Sequence, residues 1–418
     1  MNRPQDLLAQ PLTLPCGQVL KNRLAKSAMS EALGTTDNHA TEGLATLYRC
    51  WAEGGTGLLI TGNVMIDRRA LGEPNNVVLE DASDLPLLKA WAQAGKSGGA
   101  QIWVQLNHPG RQSPKGLNAE TVAPSAVPFL PALQAFFGAP RELLAAEVDA
   151  LIQRFAHSAA LVKQAGFSGV QIHGAHGYLV SQFLSPLTNQ RTDQWGGSAE
   201  NRRRFVLEVY RAIRAAVGAE FPVGIKLNSA DFQRGGFTEE ESLEVIRALE
   251  AEGIDLIELS GGTYEAPAMS DNARHSESTL KREAYFLEFA EKVRGVVKVP
   301  LMVTGGFRSL DGMASALQGG ALDLVGIARG LAIEPDMANR LLAGQEPRFS
   351  VRPIRTGIGA VDRMALMEVV WYSRQLRRLA RGRAAHRPGA GVGPGGGCRP
   401  GARHRVLPEP TVAPPPPG

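Results

Sequence analysis

This 418-residue chain contains no long apolar runs and few cysteines. No stretch of about 18 uncharged apolar residues occurs, which argues against a membrane-spanning helix. The first residues, MNRPQDLLAQPL, lack the apolar centre of a secretory signal. The three cysteines, Cys16, Cys50 and Cys398, are odd in number and far apart, so they provide neither a disulfide framework nor a CxxC metal cluster. These absences predict a cytoplasmic protein that does not bind membranes.

The overall composition, 44% apolar and 21% charged, is that of a globular protein with a large core. The net charge of +4 is unevenly distributed along the chain. The segment from Arg374 to the end holds nine Arg, no Lys and one acid, Glu409, and therefore carries +8, which leaves −4 for the rest.

The C-terminal segment also changes in composition, because 17 of the 32 residues from Arg387 onward are Pro or Gly. We therefore expect a folded unit over residues 1–386, consisting of a barrel with a C-terminal helical extension, and a disordered tail over residues 387–418. The arginines would also suit an anionic surface such as nucleic acid or membrane. No aromatic residue beyond Tyr372 interleaves with them, which favours a solvated tail and no specific nucleic-acid partner.

Between about residues 20 and 345 one pattern recurs eight times: a short run rich in Val, Ile and Leu, a turn, and an amphipathic segment of helical period. The predicted strands are 24–29, 57–62, 101–106, 169–173, 223–228, 255–260, 300–304 and 323–328. The predicted helices are 42–53, 85–96, 145–164, 199–216, 239–252, 283–295, 310–318 and 334–342. Eight such units predict an α/β fold, the (β/α)₈ TIM barrel. An open, doubly wound sheet is the alternative, but no Gly-rich dinucleotide turn follows an early strand.

Active sites of such barrels lie at the C-terminal ends of the strands. After the seventh predicted strand, Gly305 and Gly306 form a turn before a helix, and Ala328 and Arg329 follow the eighth strand. Backbone amides, a helix N-terminus and one cation together predict a phosphate site. A plain tight turn is the structural alternative.

Six segments carry a resemblance to a known family. They are PLTLPCGQVLKNRLAKSAMSE, QLNHPGR, HGAHGYLVSQFLSPLTNQRTDQWGGSAENRRRF, VGIKLN, LMVTGGF and LVGIARGLAIEPD, which together span roughly residues 8–350. They resemble the old yellow enzyme family, the FMN-dependent NADH:flavin oxidoreductases that include ene-reductases. The resemblance implies FMN as the cofactor, NADH or NADPH as co-substrate, and a small activated alkene as substrate.

The resemblance also implies roles for individual residues. The implied FMN contacts are Ser27, Ala28, Met29, Ser30, Gly62, Gln105, His173, Lys226, Gly305, Gly306, Ala328 and Arg329. Within this set, the amide of Gln105 would read the pyrimidine edge of the flavin, and Lys226 would place a positive charge near N1 and O2. The implied catalytic residues are His173 and His176, which would bind the substrate's carbonyl oxygen, and Tyr178, which would supply a proton.

Other interpretations of these residues remain open at the level of sequence. The HxxH spacing of His173 and His176 also suits a metal, although no third ligand is evident and we predict no metal site. A flavin-free lyase could instead use Lys226 as a Schiff-base lysine. The oligomeric state is not determined by the sequence, and a homo-oligomer is compatible with it.

Overall fold

Eight parallel strands close into a barrel in the computed structural model, which describes residues 3–266, 286–348 and 366–385. The strands are β1 (Leu24–Lys26), β2 (Leu58–Met65), β3 (Gln101–Asn107), β4 (Gly169–Gly174), β5 (Val223–Asn228), β6 (Leu256–Ser260), β7 (Leu301–Thr304) and β8 (Leu324–Ile327). The strand β1 pairs in parallel with both β2 and β8, which closes the sheet. The predicted (β/α)₈ barrel is confirmed, and the open sheet is excluded.

Helices surround the barrel and bury its outer face. They are α1 (Glu42–Glu53), α2 (Leu85–Gly95), α3 (Ala145–Gln164), α4 (Ala199–Val217), α5 (Glu239–Ala251), α6 (Leu287–Arg294), α7 (Leu310–Gln318), α8 (Met337–Leu342) and α9 (Leu366–Ala380). Local sequence explains several helix starts: Ser309 caps α7, and Thr238 forms a reciprocal capping box with Glu241 at the start of α5. None of the helices in the described ranges combines the length and apolar character needed to cross a bilayer.

Shorter elements complete the chain. Additional helices cover Pro4–Leu8, Ser97–Gly99, Leu179–Leu184 and Arg329–Ile333, and additional short strands cover Leu12–Thr13, Val19–Leu20, Val77–Val78, Val122–Ala123 and Arg141–Glu142. The helix predicted from residue 334 begins at Met337, because residues 329–333 form a separate turn of helix that ends at Glu334. The tail predicted over residues 387–418 lies outside the described residues, so its disorder and the boundary at 386 stay predictions.

The barrel interior is apolar towards the N-terminal ends of the strands. Trp103 is fully buried there, and a Cβ atom on Gly169 or Gly224 would approach its ring within 2.6 Å and 2.8 Å respectively. The two strands therefore lack side chains where the indole needs space. The residues that pack with Trp103 are Leu12, Leu14, Leu20, Ala25, Leu58, Ile60, Leu256, Met302 and Leu324. This apolar floor supports the polar layer described next.

Candidate active site

Above the apolar floor, the barrel interior becomes polar. Side chains on a strand alternate between its two faces, so residues two positions further along the strands point into the same interior one layer higher. Six polar residues occupy this layer: Ser27, Gln105, Gln171, Lys226, Glu258 and Thr304. Three of them, Ser27, Gln105 and Lys226, were predicted to contact FMN. The other three were not predicted from the sequence.

Direct hydrogen bonds join the six residues of this polar layer. Gln105 Nε2 donates to Gln171 Oε1 over 2.7 Å, and Gln171 Nε2 donates to Glu258 Oε2 over 2.8 Å. Lys226 Nζ lies 3.0 Å from Glu258 Oε1, which also accepts a hydrogen bond of 2.7 Å from Thr304 Oγ1. The hydroxyls of Thr304 and Ser27 are 2.7 Å apart. The structure thus brings the three predicted residues together through partners on β4, β6 and β7.

The predicted catalytic residues lie beside this layer, where β4 ends. His173 pairs in register with Lys226 of β5, and the chain then turns through His176, whose φ is +61°. Tyr178 precedes the short helix Leu179–Leu184. The ring centroid of His173 lies 5.3 Å from that of His176 and 4.7 Å from that of Tyr178. Two imidazoles and one phenol therefore form a single cluster at the C-terminal mouth of the barrel.

Burial determines the charge of the two histidines. It lowers the pKa of His173 and of His176 well below the ordinary value of 6.5, and the nearby positive charge of Lys226 lowers both further. Both rings are therefore neutral at pH 7, and each carries one N–H. Nδ1 of His173 accepts a hydrogen bond of 3.3 Å from the Ala175 amide, which places the proton of His173 on Nε2.

The tautomer of His176 depends on a partner that the sequence did not indicate. Its Nε2 lies 2.7 Å from the hydroxyl of Ser260, which is buried at the end of β6. If the Ser260 hydroxyl donates to Nε2, the proton of His176 is on Nδ1. That arrangement makes His176, like His173, a neutral N–H donor.

The hydroxyl of Tyr178 also has two unpredicted neighbours. It accepts a hydrogen bond of 3.4 Å from Asn63 Nδ2 and lies 3.1 Å from the hydroxyl of Tyr264, whose side chain is 45% exposed. Burial raises the pKa of Tyr178 well above its ordinary value of 10, and Tyr264 adds to the effect. The phenol therefore keeps its proton throughout the neutral pH range and has a neighbour that reaches solvent.

The first strand supplies the next group of predicted residues. Ser27 is buried, whereas Ala28, Met29 and Ser30 are half-buried in the loop that follows β1. A Cβ atom on Gly62 would lie 2.4 Å from the backbone oxygen of Met29. Glycine is therefore required at position 62 by the neighbouring backbone segment at Met29.

The predicted phosphate cradle lies at the ends of β7 and β8. Gly305 and Gly306 have φ values of +111° and +93°, a region that favours glycine, and α7 begins four residues later behind its Ser309 cap. Ala328 and Arg329 follow the adjacent strand β8. The two segments lie side by side because Thr304 pairs in register with Gly326. This is a turn of the shape that anion sites use at a helix N-terminus.

Comparisons with known proteins agree with this geometry. The family model described as the NADH:flavin oxidoreductase / NADH oxidase family matches residues 8–347. The chain belongs to this family, which includes old yellow enzyme. An NADH-dependent flavin oxidoreductase from Hypocrea jecorina is 39% identical over 370 residues, which cover 81% of this chain and 90% of the relative.

Two further comparisons place the chain among enzymes of different length. A flavin oxidoreductase from Neonectria sp. is 40% identical over 78% of this chain but only 46% of its own length, so the chain spans about half of that relative. The structure of morphinone reductase superposes with a TM-score of 0.70 at 25% identity, covering 84% of this chain and 92% of that one.

Membership of the family identifies FMN as the cofactor and NADH or NADPH as the co-substrate. The residues at the mouth fit FMN. The polar layer offers an amide at Gln105 and a cation at Lys226, and the positive-φ glycines Gly305 and Gly306 directly follow Thr304, a member of the same layer. The enzyme is therefore an FMN-dependent oxidoreductase, and the placement of FMN on individual residues is part of the proposal below.

Proposed function

We propose that this enzyme is an ene-reductase that reduces the C=C bond of α,β-unsaturated carbonyl compounds and related electron-poor alkenes. The observation that supports it most strongly is the cluster at the end of β4, in which two neutral imidazoles face the same mouth as a protonated, buried phenol. Addition of hydride to such an alkene creates negative charge on the carbonyl oxygen and requires a proton at the α-carbon. The cluster contains one group for each need.

In this proposal His173 and His176 bind the carbonyl oxygen. Nε2–H of His173 and Nδ1–H of His176 would donate to it, because the Ala175 amide donates to Nδ1 of His173 and the Ser260 hydroxyl would donate to Nε2 of His176 before substrate arrives. Such preorganised donors stabilise the oxygen most strongly when it carries charge, that is, in the transition state. Neutral donors also leave the substrate's enolate basic enough to take a proton from a phenol.

Tyr178 would supply that proton. A phenol with a raised pKa is a weak acid, but an enolate carbon is a strong base, so it can take the proton from the Tyr178 hydroxyl. The proton lost to product is replaced through Tyr264, whose hydroxyl contacts that of Tyr178 and whose side chain is partly exposed. Asn63, on β2, donates a hydrogen bond to the Tyr178 oxygen.

The cofactor site in this proposal is the polar layer together with the glycine turn. When bound, FMN supplies hydride transfer, from NADH or NADPH to the alkene. Gln105 and Lys226 would hold the pyrimidine edge of the flavin, and backbone atoms of residues 27–30 and 62 would line it. Gly305, Gly306, Ala328 and Arg329 would hold the phosphate.

The lyase alternative is not supported by the environment of Lys226. A Schiff-base lysine needs an amine that is free to attack a carbonyl, whereas Lys226 Nζ is held in a buried ion pair, 3.0 Å from the carboxylate of Glu258. We also propose that the catalytic unit extends to residue 386, because Ser373 of α9 donates a hydrogen bond of 3.2 Å to the backbone oxygen of Ser30. Deleting residues 387–418 should leave turnover unchanged, and a loss of turnover would contradict that boundary.

The activity can be tested with isotopes. The holoenzyme, reduced anaerobically with 4-deuterated NADH or NADPH in ordinary water, should transfer deuterium to the β-carbon of 2-cyclohexenone. With unlabelled nicotinamide in D₂O, deuterium should appear at the α-carbon. A yellow protein that NADH or NADPH reduces, but that no enone, nitroalkene or maleimide reoxidises, would contradict the proposed reaction while leaving the family intact.

A further inference from the structure

A single carboxylate occupies the centre of the polar layer. Glu258 lies in the middle of β6, fully buried, in a strand that is otherwise apolar except at its end. Lys226, Thr304 and Gln171 all converge on it, at 3.0 Å, 2.7 Å and 2.8 Å. No role for Glu258 follows from the proposed reaction, yet burial of a carboxylate is costly and needs this full set of partners.

The carboxylate fixes the direction of one chain of hydrogen bonds. An ionised carboxylate can only accept, so Gln171 must present its N–H groups to Glu258. The carbonyl of the Gln171 side chain then faces Gln105, which in turn must donate its own Nε2–H. Gln105 is thereby left with its carbonyl oxygen, Oε1, and the second hydrogen of Nε2 for a ligand above the layer.

The same carboxylate fixes a second chain. Thr304 has one hydroxyl proton and donates it to Glu258. In the contact of 2.7 Å between the hydroxyls of Thr304 and Ser27, the donor must therefore be Ser27. Two residues that share no direct contact, Gln105 and Ser27, thus have their hydrogen-bonding polarity set by Glu258.

Glu258 also opposes the charge of Lys226, since the two groups form an ion pair in a buried site where water screens little. A cation beside a flavin favours the reduced, more negative form, and an adjacent anion weakens that effect. We propose that Glu258 is a positioning residue that sets the hydrogen-bond direction of the polar layer and lowers the reduction potential of bound FMN. The inference rests on the proposed placement of FMN over this layer.

The test is the midpoint potential of the holoenzyme, measured by anaerobic reduction beside a reference dye. Glu258→Gln keeps the size of the side chain and removes its charge. We expect it to favour reduced flavin at least tenfold, which for two electrons is a rise of about 30 mV. The matched control is Glu240→Gln, an exposed acid on α5, whose potential should equal that of the parent. An unchanged or lower potential in Glu258→Gln would overturn the inference.

A second pair of variants keeps the test decisive if Glu258→Gln does not fold with FMN. The double variant Lys226→Met/Glu258→Gln removes both charges. Its ratio of reduced to oxidised flavin at a given potential should therefore stay within threefold of the parent's ratio. A fall of more than tenfold in that ratio in the double variant would mean that Glu258 does not offset the charge of Lys226.

The single variants show which proposal is wrong. If Lys226→Met lowers the potential while Glu258→Gln leaves it unchanged, only the inference about Glu258 fails. If neither Lys226→Met nor Glu258→Gln changes the potential, the proposed placement of FMN over the polar layer fails as well.

Discussion

Replacing Tyr178 by Phe removes one hydroxyl from the proposed active site and leaves the rest of the ring. The ring contact with His173, 4.7 Å between centroids, does not involve the hydroxyl and should persist. What is lost is the proton source and its two contacts, to Tyr264 at 3.1 Å and Asn63 at 3.4 Å. General acids contribute about 10²- to 10⁴-fold to the rates they assist, so we expect a loss of that size in alkene reduction, or about 3–5 kcal/mol in barrier.

The two half-reactions separate this loss from a general defect. Stopped-flow absorbance at the flavin band measures reduction by NADH or NADPH and, separately, reoxidation by 2-cyclohexenone. Reduction should stay within about threefold of the parent because no proton from Tyr178 is needed there. The control is Tyr210→Phe on α4, whose hydroxyl donates to the backbone of Glu252 far from the mouth. Equal losses in both half-reactions of Tyr178→Phe would refute the proton-donor role.

Three further predictions follow from particular contacts. Ser260→Ala removes the hydroxyl beside Nε2 of His176, so the KM for 2-cyclohexenone should rise about fivefold, which corresponds to one hydrogen bond of about 1 kcal/mol. Ser260→Thr should restore the parent KM. An unchanged KM in Ser260→Ala would contradict the assignment of the His176 proton to Nδ1. Gly306→Ala forces a φ of +93° on an L-residue at a cost of about 1–2 kcal/mol. Fluorescence titration should therefore show FMN binding weakened about tenfold, with riboflavin binding little changed. Equal losses of affinity for FMN and riboflavin would place the phosphate elsewhere. Burial lowers the pKa of His108 from 6.5 to about 4, so the free energy of unfolding should fall by about 3 kcal/mol as pH drops from 6.5 to 4. In denaturant titrations His108→Asn should reduce that slope, and the exposed His157→Asn should not.

Much of the fold follows from the sequence because period-2 and period-3.6 patterns alternate clearly. All eight barrel strands occur where predicted, and α1, α3 and α7 have the predicted bounds. The errors lie at strand ends. The chain leaves the sheet after Lys26, three residues earlier than predicted, whereas β2 continues to Met65. Polar residues at a strand end do not reveal whether the next residue still pairs.

The candidate site was predicted unevenly. Residues with a motif, such as His173 and Tyr178, could be named from the sequence. Residues whose importance comes from partners on other strands could not, because the alternation of a strand shows which face a residue occupies but not what lies opposite. Glu258 did carry a signal: it is a charged residue inside the apolar run Leu-Ile-Glu-Leu-Ser. A charge in a fully buried strand needs a partner, and Lys226 on the neighbouring strand is that partner.

FMN should lie on the polar layer with His173, His176 and Tyr178 on its open side, and a crystal structure of the yellow holoenzyme would show its position. We expect flavin density with its pyrimidine edge within hydrogen-bond distance of Gln105 and Lys226, and with its phosphate at the Gly305–Gly306 turn. Flavin density away from Lys226, or a ring whose open face lies away from Tyr178, would contradict this placement.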